Sequence, residues 1–146
     1  MPGFQFPLEK VLRWRSIQLA AEEAKLKRVL QEQLRLQTLA AELGMQKSKL
    51  VSSLGALVNL RGDDLRAASS YSLRLKHHAD KVAEQLALCE KDLRARKKKY
   101  QEAQQRVRLL EELKNKKRVA WNYEDNRRLE RLAAESYLAN WNRDGL

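Results

Sequence analysis

The stretch LRAASSYSLRLKHHADKVAEQLALCEKDLRARKKKYQEAQQRVRLL, residues 65–110, decides the fold. Stepping through it alternately by three and four residues visits Leu65, Ala68, Ser72, Leu75, Ala79, Val82, Leu86, Cys89, Leu93, Arg96, Tyr100, Ala103, Val107 and Leu110. All but Ser72 and Arg96 are apolar, whereas the residues between them are dominated by Lys, Arg, Glu, Asp and Gln. An apolar residue every 3.5 positions, sustained over more than about six heptads, predicts a coiled-coil seam rather than the broad face of a short globular helix. One helix cannot bury such a stripe alone.

A second seam precedes it. From Leu8 the same stepping visits Leu12, Arg15, Leu19, Glu22, Leu26, Val29, Gln33, Leu36, Ala40, Leu43, Lys47, Leu50, Leu54 and Leu57. Arg15, Glu22, Gln33 and Lys47 interrupt it, and buried polar residues of this kind set register in coiled coils. Leu30, Leu34 and Leu39 widen the stripe toward a further neighbour. Punctuation gathers between the two seams: Gly55, Asn59 and Gly62 lower helix propensity, and Gly62 suits a left-handed cap. Asp63 follows as a candidate N-cap, with Asp64 in the first turn against the helix dipole. Helices joined by so short a link lie antiparallel, so each seam is the other's partner.

The predicted fold is therefore all-α: a long antiparallel two-helix coiled coil, or helical hairpin, forming a single domain over residues 1–146. Pro2, Gly3 and Pro7 make 1–7 a non-helical leader, with Pro7 placed where its missing N–H costs nothing. Helix one is expected over about 8–57, the turn over about 58–63, helix two over about 64–138, and a tail over 139–146. The helices are unequal, at roughly 75 Å and roughly 110 Å by the helical rise. Folding back at Gly62 brings the start of the first level with Leu113. Residues 114–138 are then expected to overhang with no partner in the same chain. Phase is lost there, at Lys114, Asn115, Lys116, Lys117 and Arg118, and apolar residues resume off register at Trp121, Leu129, Leu132, Ala133 and Tyr137. Such an end, with Trp121 and Trp141 nearby, suits docking.

Composition narrows the class. Of 146 residues, 34% are charged and 6% aromatic, with five Gly and two Pro, a balance that favours long helices. No apolar run approaches the length of a membrane span. No apolar leader core suggests a secretory signal, and a Met-Pro start does not suit myristoylation. The lone Cys89 forms no internal disulfide framework and fits a reducing, cytoplasmic setting. The net charge of +11 is uneven: residues 91–118 carry twelve Lys/Arg against four Asp/Glu, a field that attracts acidic partners.

No catalytic constellation, metal site or cofactor motif is expected. His77 and His78 are adjacent, so on a helix they diverge by about 100° and cannot share a metal as an i,i+4 pair can. Cys89 sits on the seam as a small core residue and lacks the base and pocket a nucleophile needs. No Walker A loop is present. The basic face of Arg94, Arg96, Lys97, Lys98 and Lys99 reads either as the solvated outside of a coiled coil or as a docking face for an acidic protein surface. A nucleic-acid role is the weaker reading, because the run lies mid-helix in an antiparallel pair rather than before a parallel zipper, and only Tyr100 offers stacking.

The ends carry a more specific signal. Phe4-Gln5-Phe6-Pro7-Leu8-Glu9-Lys10-Val11-Leu12-Arg13-Trp14-Arg15 resembles the F-x-F-x-L-x-x-V-L-x-x-R opening of the flagellar export protein family FliJ. Ala20-Ala21-Glu22-Glu23-Ala24 is similar to the acidic, Ala-rich stretch that follows in that family. Leu110-Glu111-Glu112-Leu113-Lys114 and Asn126-Arg127-Arg128-Leu129-Glu130-Arg131-Leu132-Ala133 resemble its C-terminal helix, although Arg131 stands where the family usually has an acidic residue. The stalk proteins of injectisomes share the architecture, and the Phe4/Phe6 leader favours the flagellar side.

The resemblance implies a general export chaperone and stalk of the type III protein export apparatus, in bacterial flagellum biogenesis and the chemotaxis it serves. Such a protein is no enzyme and needs no cofactor. It is a monomer, cytoplasmic and membrane-associated, peripheral at the inner face of the cell membrane at the flagellar base. As an ATPase regulator it inserts into the hexameric export ATPase ring, contacts the cytoplasmic domain of the export gate and handles export chaperones. On that reading Phe4, Phe6, Leu8, Val11, Leu12 and Arg15, with Leu129 and Leu132, are expected to face the ATPase. Tyr71 and Leu75 are candidates for the gate. The alternatives are a basic coiled-coil nucleic-acid-binding protein and a generic coiled-coil scaffold paired in trans.

Overall fold

A computed structural model describes residues 3–56 and 61–144. The protein is an all-α helical hairpin of two long helices packed against each other, α1 (Glu9–Ala56) and α2 (Gly62–Asp144). Residues 58–60 of the turn predicted over 58–63 lie outside the described residues, as does the last seam position, Leu57, whereas Gly62 and Asp63 already belong to α2. The chain divides into two compact units. One joins Met1–Ala20 to Glu102–Leu146, and the other is Ala21–Gln101.

Within the Ala21–Gln101 unit the seam is where the periodicity places it. Between Leu65 and Gln101 the only α2 residues not exposed are Ala68, Leu75, Val82, Leu86, Cys89, Leu93, Arg96 and Tyr100, all of them seam positions. On α1, Leu36 and Leu43 are buried, with Glu22, Leu26, Val29, Gln33, Ala40, Leu50 and Leu54 half-buried at theirs. Leu36 and Val82 are the most enclosed side chains, 2% and 1% exposed. Leu43, Leu75 and Val82 form a core cluster onto which Leu39, Ala40, Leu50 and Leu86 pack. Of the residues expected to widen the stripe, Leu39 joins this core, whereas Leu30 and Leu34 are exposed.

Two cross-helix contacts fix an antiparallel register. The Cys89 thiol donates to the Val29 carbonyl at 3.6 Å. The Arg96 guanidinium lies 4.0 Å from a Glu22 carboxylate oxygen and 3.8 Å from Asp92. Each pair advances on one helix as it retreats on the other, from 29 with 89 to 22 with 96. The two polar interruptions of the opposing seams therefore meet each other. That costs less than facing either toward an apolar partner, since an unpaired charge in the seam keeps its full desolvation penalty.

The seam thins toward the turn. Leu65, Ser72 and Ala79 are exposed although they hold seam positions. Short side chains at 68, 72 and 79 do not reach across the interface, and a groove of about 350 Å³ opens beside Leu50, Leu54, Leu65, Ala68 and Ser72. Lys47, the other interruption here, is exposed.

The ends of α2 correct two expectations. Gly62 does not adopt a left-handed cap: no described glycine has positive φ. It opens α2, whose first-turn bond runs from the Leu65 N–H to the Arg61 carbonyl at 3.1 Å. Asp63 and Asp64 both lie in the first turn, where carboxylates complement the helix dipole, so Asp63 is not the N-cap. At the far end the helix continues to Asp144 rather than stopping at 138. Losing the seam does not end a helix; residues 139–144 contain neither Gly nor Pro.

Seven of the nine ion pairs among the described residues lie within one helix at i,i+3 or i,i+4 spacing. Such exposed pairs contribute little, about 0–1 kcal/mol each. Apolar burial along the seam is what holds the helices together. Replacing Leu36 by Ala, or Val82 by Ala, is expected to lower stability by about 2–5 kcal/mol and about 1–3 kcal/mol respectively. Replacing the exposed Leu88 by Ala should change it by less than about 0.5 kcal/mol. Urea unfolding followed by circular dichroism measures all three, and equal losses at Leu36 and Leu88 would contradict the seam assignment.

Candidate functional site

All eight residues expected to face an ATPase belong to the unit that joins the two chain ends, and three of them, Phe4, Phe6 and Leu12, gather in one cluster there. Residues 3–6 belong to no helix or strand, Pro7 and Leu8 form a turn, and the Glu9 N–H donates to the Phe6 carbonyl at 3.1 Å. That turn folds the leader back onto α2. Phe6, Leu12 and Val107 form a core cluster, against which Phe4, Leu19, Leu110 and Leu113 pack. Phe6 and Leu12 are only 7% and 8% exposed, so the chain's own core consumes them. Leu8 and Val11 are exposed, and Arg15 is half-buried, bonded to Gln18 at 3.0 Å and placed over the Trp14 ring.

The leader reaches further along α2 than expected. Lys114 lies 2.8 Å from the Glu9 carboxylate, close to the predicted meeting at Leu113. Phe4 goes beyond it: its ring centroid is 6.2 Å from that of Trp121, tilted by 56°, and the Arg118 guanidinium lies over its face at 5.7 Å. Lys114, Arg118 and Trp121 therefore do have partners in the same chain, which corrects the expectation that the overhang starts at 114. The reason is that a non-helical leader covers about twice the length per residue that a helix does.

Past Trp121 every residue through Asp144 is exposed except Asp125 and Arg128, which pair with each other at 2.7 Å. Large apolar side chains are nevertheless frequent: Tyr123, Leu129, Leu132, Tyr137, Leu138 and Trp141 are all exposed. At 100° per residue, Val119, Tyr123, Tyr137 and Trp141 fall within an arc of about 40°, while Trp121, Leu129 and Leu132 occupy an arc nearly opposite. Apolar residues thus lie on two sides of one exposed helix, a pattern that ordinarily belongs to a buried one. Leu129 and Leu132 lie on this exposed segment and not in the leader cluster.

The remaining candidates are dispersed within the Ala21–Gln101 unit. Leu75 is buried in the core and unavailable to a partner, whereas Tyr71 is 39% exposed near the seam groove. Arg96 leaves the basic face for the seam, and Arg94 pairs with Glu90 at 3.1 Å. Lys97, Lys98 and Lys99 are exposed and form none of the ion pairs found among the described residues. Cys89 is buried, and desolvation first, then Glu32 and Asp92, raise its pKa, which disfavours a reactive thiolate. His77 and His78 are exposed, and no His, Cys, Asp or Glu cluster able to hold a metal occurs among the described residues. No helix of these residues is long and apolar enough to cross a membrane.

Sequence reading missed Lys10, Arg13, Lys114 and Arg118 as a group, although they line one groove with the leader aromatics. The signal was there in the antiparallel register, which sets the start of α1 against the Lys114–Arg118 run. Comparison with protein-family models, curated proteins and solved structures finds no match to the chain.

Glu9 is the acidic exception in this groove. The Lys114 ammonium holds its pKa below the ordinary carboxylate value, with smaller contributions from Arg13 and Arg118 that desolvation opposes. A depressed folded-state pKa gives stability above the unfolded value, and that stability is lost as pH falls through the folded value. Stability should therefore decline on acidification, and Glu9→Gln should flatten that part of the profile. Thermal melts from neutral to acid pH test this; an unchanged acid limb in the variant would show that the pair contributes nothing.

Proposed function

We propose that this chain is a non-enzymatic stalk and coupling component of a flagellar type III protein export apparatus. It binds the hexameric export ATPase ring through its end segments, the cytoplasmic domain of the export gate through the turn-proximal half, and export chaperones. The observation that carries the reading is the exposed run of α2 from Val119 to Trp141, apolar on two sides. A partner that engages it from several directions at once, as a ring lumen does, would bury both arcs. A single flat surface would bury one.

The motifs around Phe4–Arg15 and Leu129–Ala133 point the same way by resemblance. In this reading Phe6 and Leu12 build the end that the ATPase meets, while Leu8, Val11, Leu129 and Leu132 touch it. Coupling needs no catalytic group in the stalk: differential contacts with ring subunits in different conformations shift their equilibrium. The place of action is the cytoplasmic side of the membrane at the flagellar base.

The test is ATP hydrolysis by the cognate export ATPase with and without the purified protein. Stimulation is expected, and Leu129→Asp combined with Leu132→Asp should weaken ring binding by about thirtyfold or more, the effect of losing a central apolar anchor. Neither substitution touches the seam, so the helical signal should be retained. Failure of the intact protein to stimulate or bind the ring at low salt would overturn the proposal.

A second reading has one observation in its favour, the unpaired Lys97, Lys98 and Lys99 on the outside of α2. A nucleic-acid-binding role predicts DNA affinity that falls steeply with salt and a shallower salt slope when the three lysines become Gln. No mobility shift at low ionic strength would eliminate it.

A further inference from the structure

The leader and the first turns of α1 meet α2 around a groove of about 600 Å³, lined by Phe4, Phe6, Lys10, Arg13, Lys114 and Arg118. Glu9 is the one acidic side chain among its lining residues, and its charge is already answered, 2.8 Å from Lys114 and 3.9 Å from Arg13. Four cations and one carboxylate leave a net charge of +3. Cations crowded into a concave, partly apolar cleft repel one another and focus a positive field outward. An anionic occupant relieves that repulsion.

The arrangement selects among anions. Lys10 and Arg13 stand on α1, whereas Lys114 and Arg118 stand one turn apart on α2, so the charges are spread along the groove. A single phosphate needs donors that converge on one point. A row of carboxylates on an extended peptide matches a spread set, and arginine binds carboxylates in a forked, bidentate fashion. Arg118 is already held over the Phe4 ring, which orders the guanidinium before any ligand arrives. Phe4 is half-buried and leaves part of its ring for an apolar side chain. A nucleic-acid duplex is too wide to enter a cleft of this size and would instead meet a convex surface such as that of Lys97–Lys99.

We propose that this groove is a docking site for an extended acidic segment of a partner protein, with carboxylates at Lys10, Arg13 and Arg118 and an apolar residue against Phe4. The inference stands on the groove alone and does not rest on the export reading. Its assay contains neither ATPase nor export gate, so each proposal can fail without the other.

The experiment uses the full chain and a short fluorescent peptide alternating Glu with Leu, followed by anisotropy at low salt. Binding is expected, at least about tenfold tighter than for the same peptide with Gln in place of Glu, since that factor is what one or two charge-assisted contacts supply. Arg13→Glu with Arg118→Glu should weaken it by a further factor of about ten or more. Lys10→Gln with Arg13→Gln, both at exposed positions, gives a milder loss and serves if the first pair disturbs the fold. Changing Lys97, Lys98 and Lys99 to Gln should leave binding in place. Equal affinity for the Gln peptide, equal loss from the Lys97–Lys99 variant, or displacement by tripolyphosphate or duplex DNA at matched charge as effective as by unlabelled peptide would each overturn the proposal.

Discussion

Everything in this molecule depends on one constraint: a stripe of apolar side chains at 3.5-residue spacing that no single helix can bury. Val82 and Leu36 are enclosed only because another helix lies against them, and the partner is supplied by the same chain folded back. Conformational entropy opposes holding so many residues in helices, and isolated helices gain little beyond their own backbone bonds. Removal of the stripe from water offsets that cost. The ion pairs do not, because most of them join neighbours on one helix.

The same constraint assigns roles to the exceptions. Glu22 and Arg96 would each be a defect opposite leucine, yet they face each other, and so they discriminate among registers that the leucines alone treat as nearly equal. Ser72 and Ala79 are defects of the opposite kind. They are too small to fill their positions and are both exposed, and the seam opens beside Ser72. Apolar area is lost there while the helices continue, so the turn-proximal half of the Ala21–Gln101 unit depends more on backbone bonds than the half around Leu36 does.

How much of this was legible follows from what carries a period. The seam positions, the antiparallel pairing and the meeting of Glu9 with the region of Leu113 all follow from 3.5-residue spacing and one short link. The leader had no period to read, so its grip on Lys114, Arg118 and Trp121 was invisible: an aromatic in a non-helical segment can meet many places, and only packing selects one. Phe6 and Leu12 enter as ATPase-facing candidates through the resemblance alone, and periodicity does not show that Phe6 is buried in the core at that end of the hairpin. The helix ends were misplaced where phase was taken for structure. Beyond Leu113 the apolar pattern drifts, yet backbone bonding needs no pattern, and α2 runs on to Asp144. Gly62 was read as a stop, although glycine is equally admissible at a helix start with two aspartates behind it.

A chain organised this way separates stiffness from recognition. Where the seam is complete, its large apolar side chains are buried or half-buried against the partner helix, and the apolar residues left in water there, Leu34 and Leu88 among them, lie off the seam. Where the seam ends, α2 keeps its helical form without its cover, and the aromatic arc of Tyr123, Tyr137 and Trp141 stands in water along with the Leu129–Leu132 arc on the other side. Holding those groups in a preformed helix removes much of the ordering entropy that a disordered segment would lose on binding. The leader limits how much is exposed, since Phe4 packs against Trp121, which is 36% exposed, whereas Tyr123, Tyr137 and Trp141 are more exposed. Its position therefore sets the boundary between the part of α2 that the chain covers itself and the part it leaves in water.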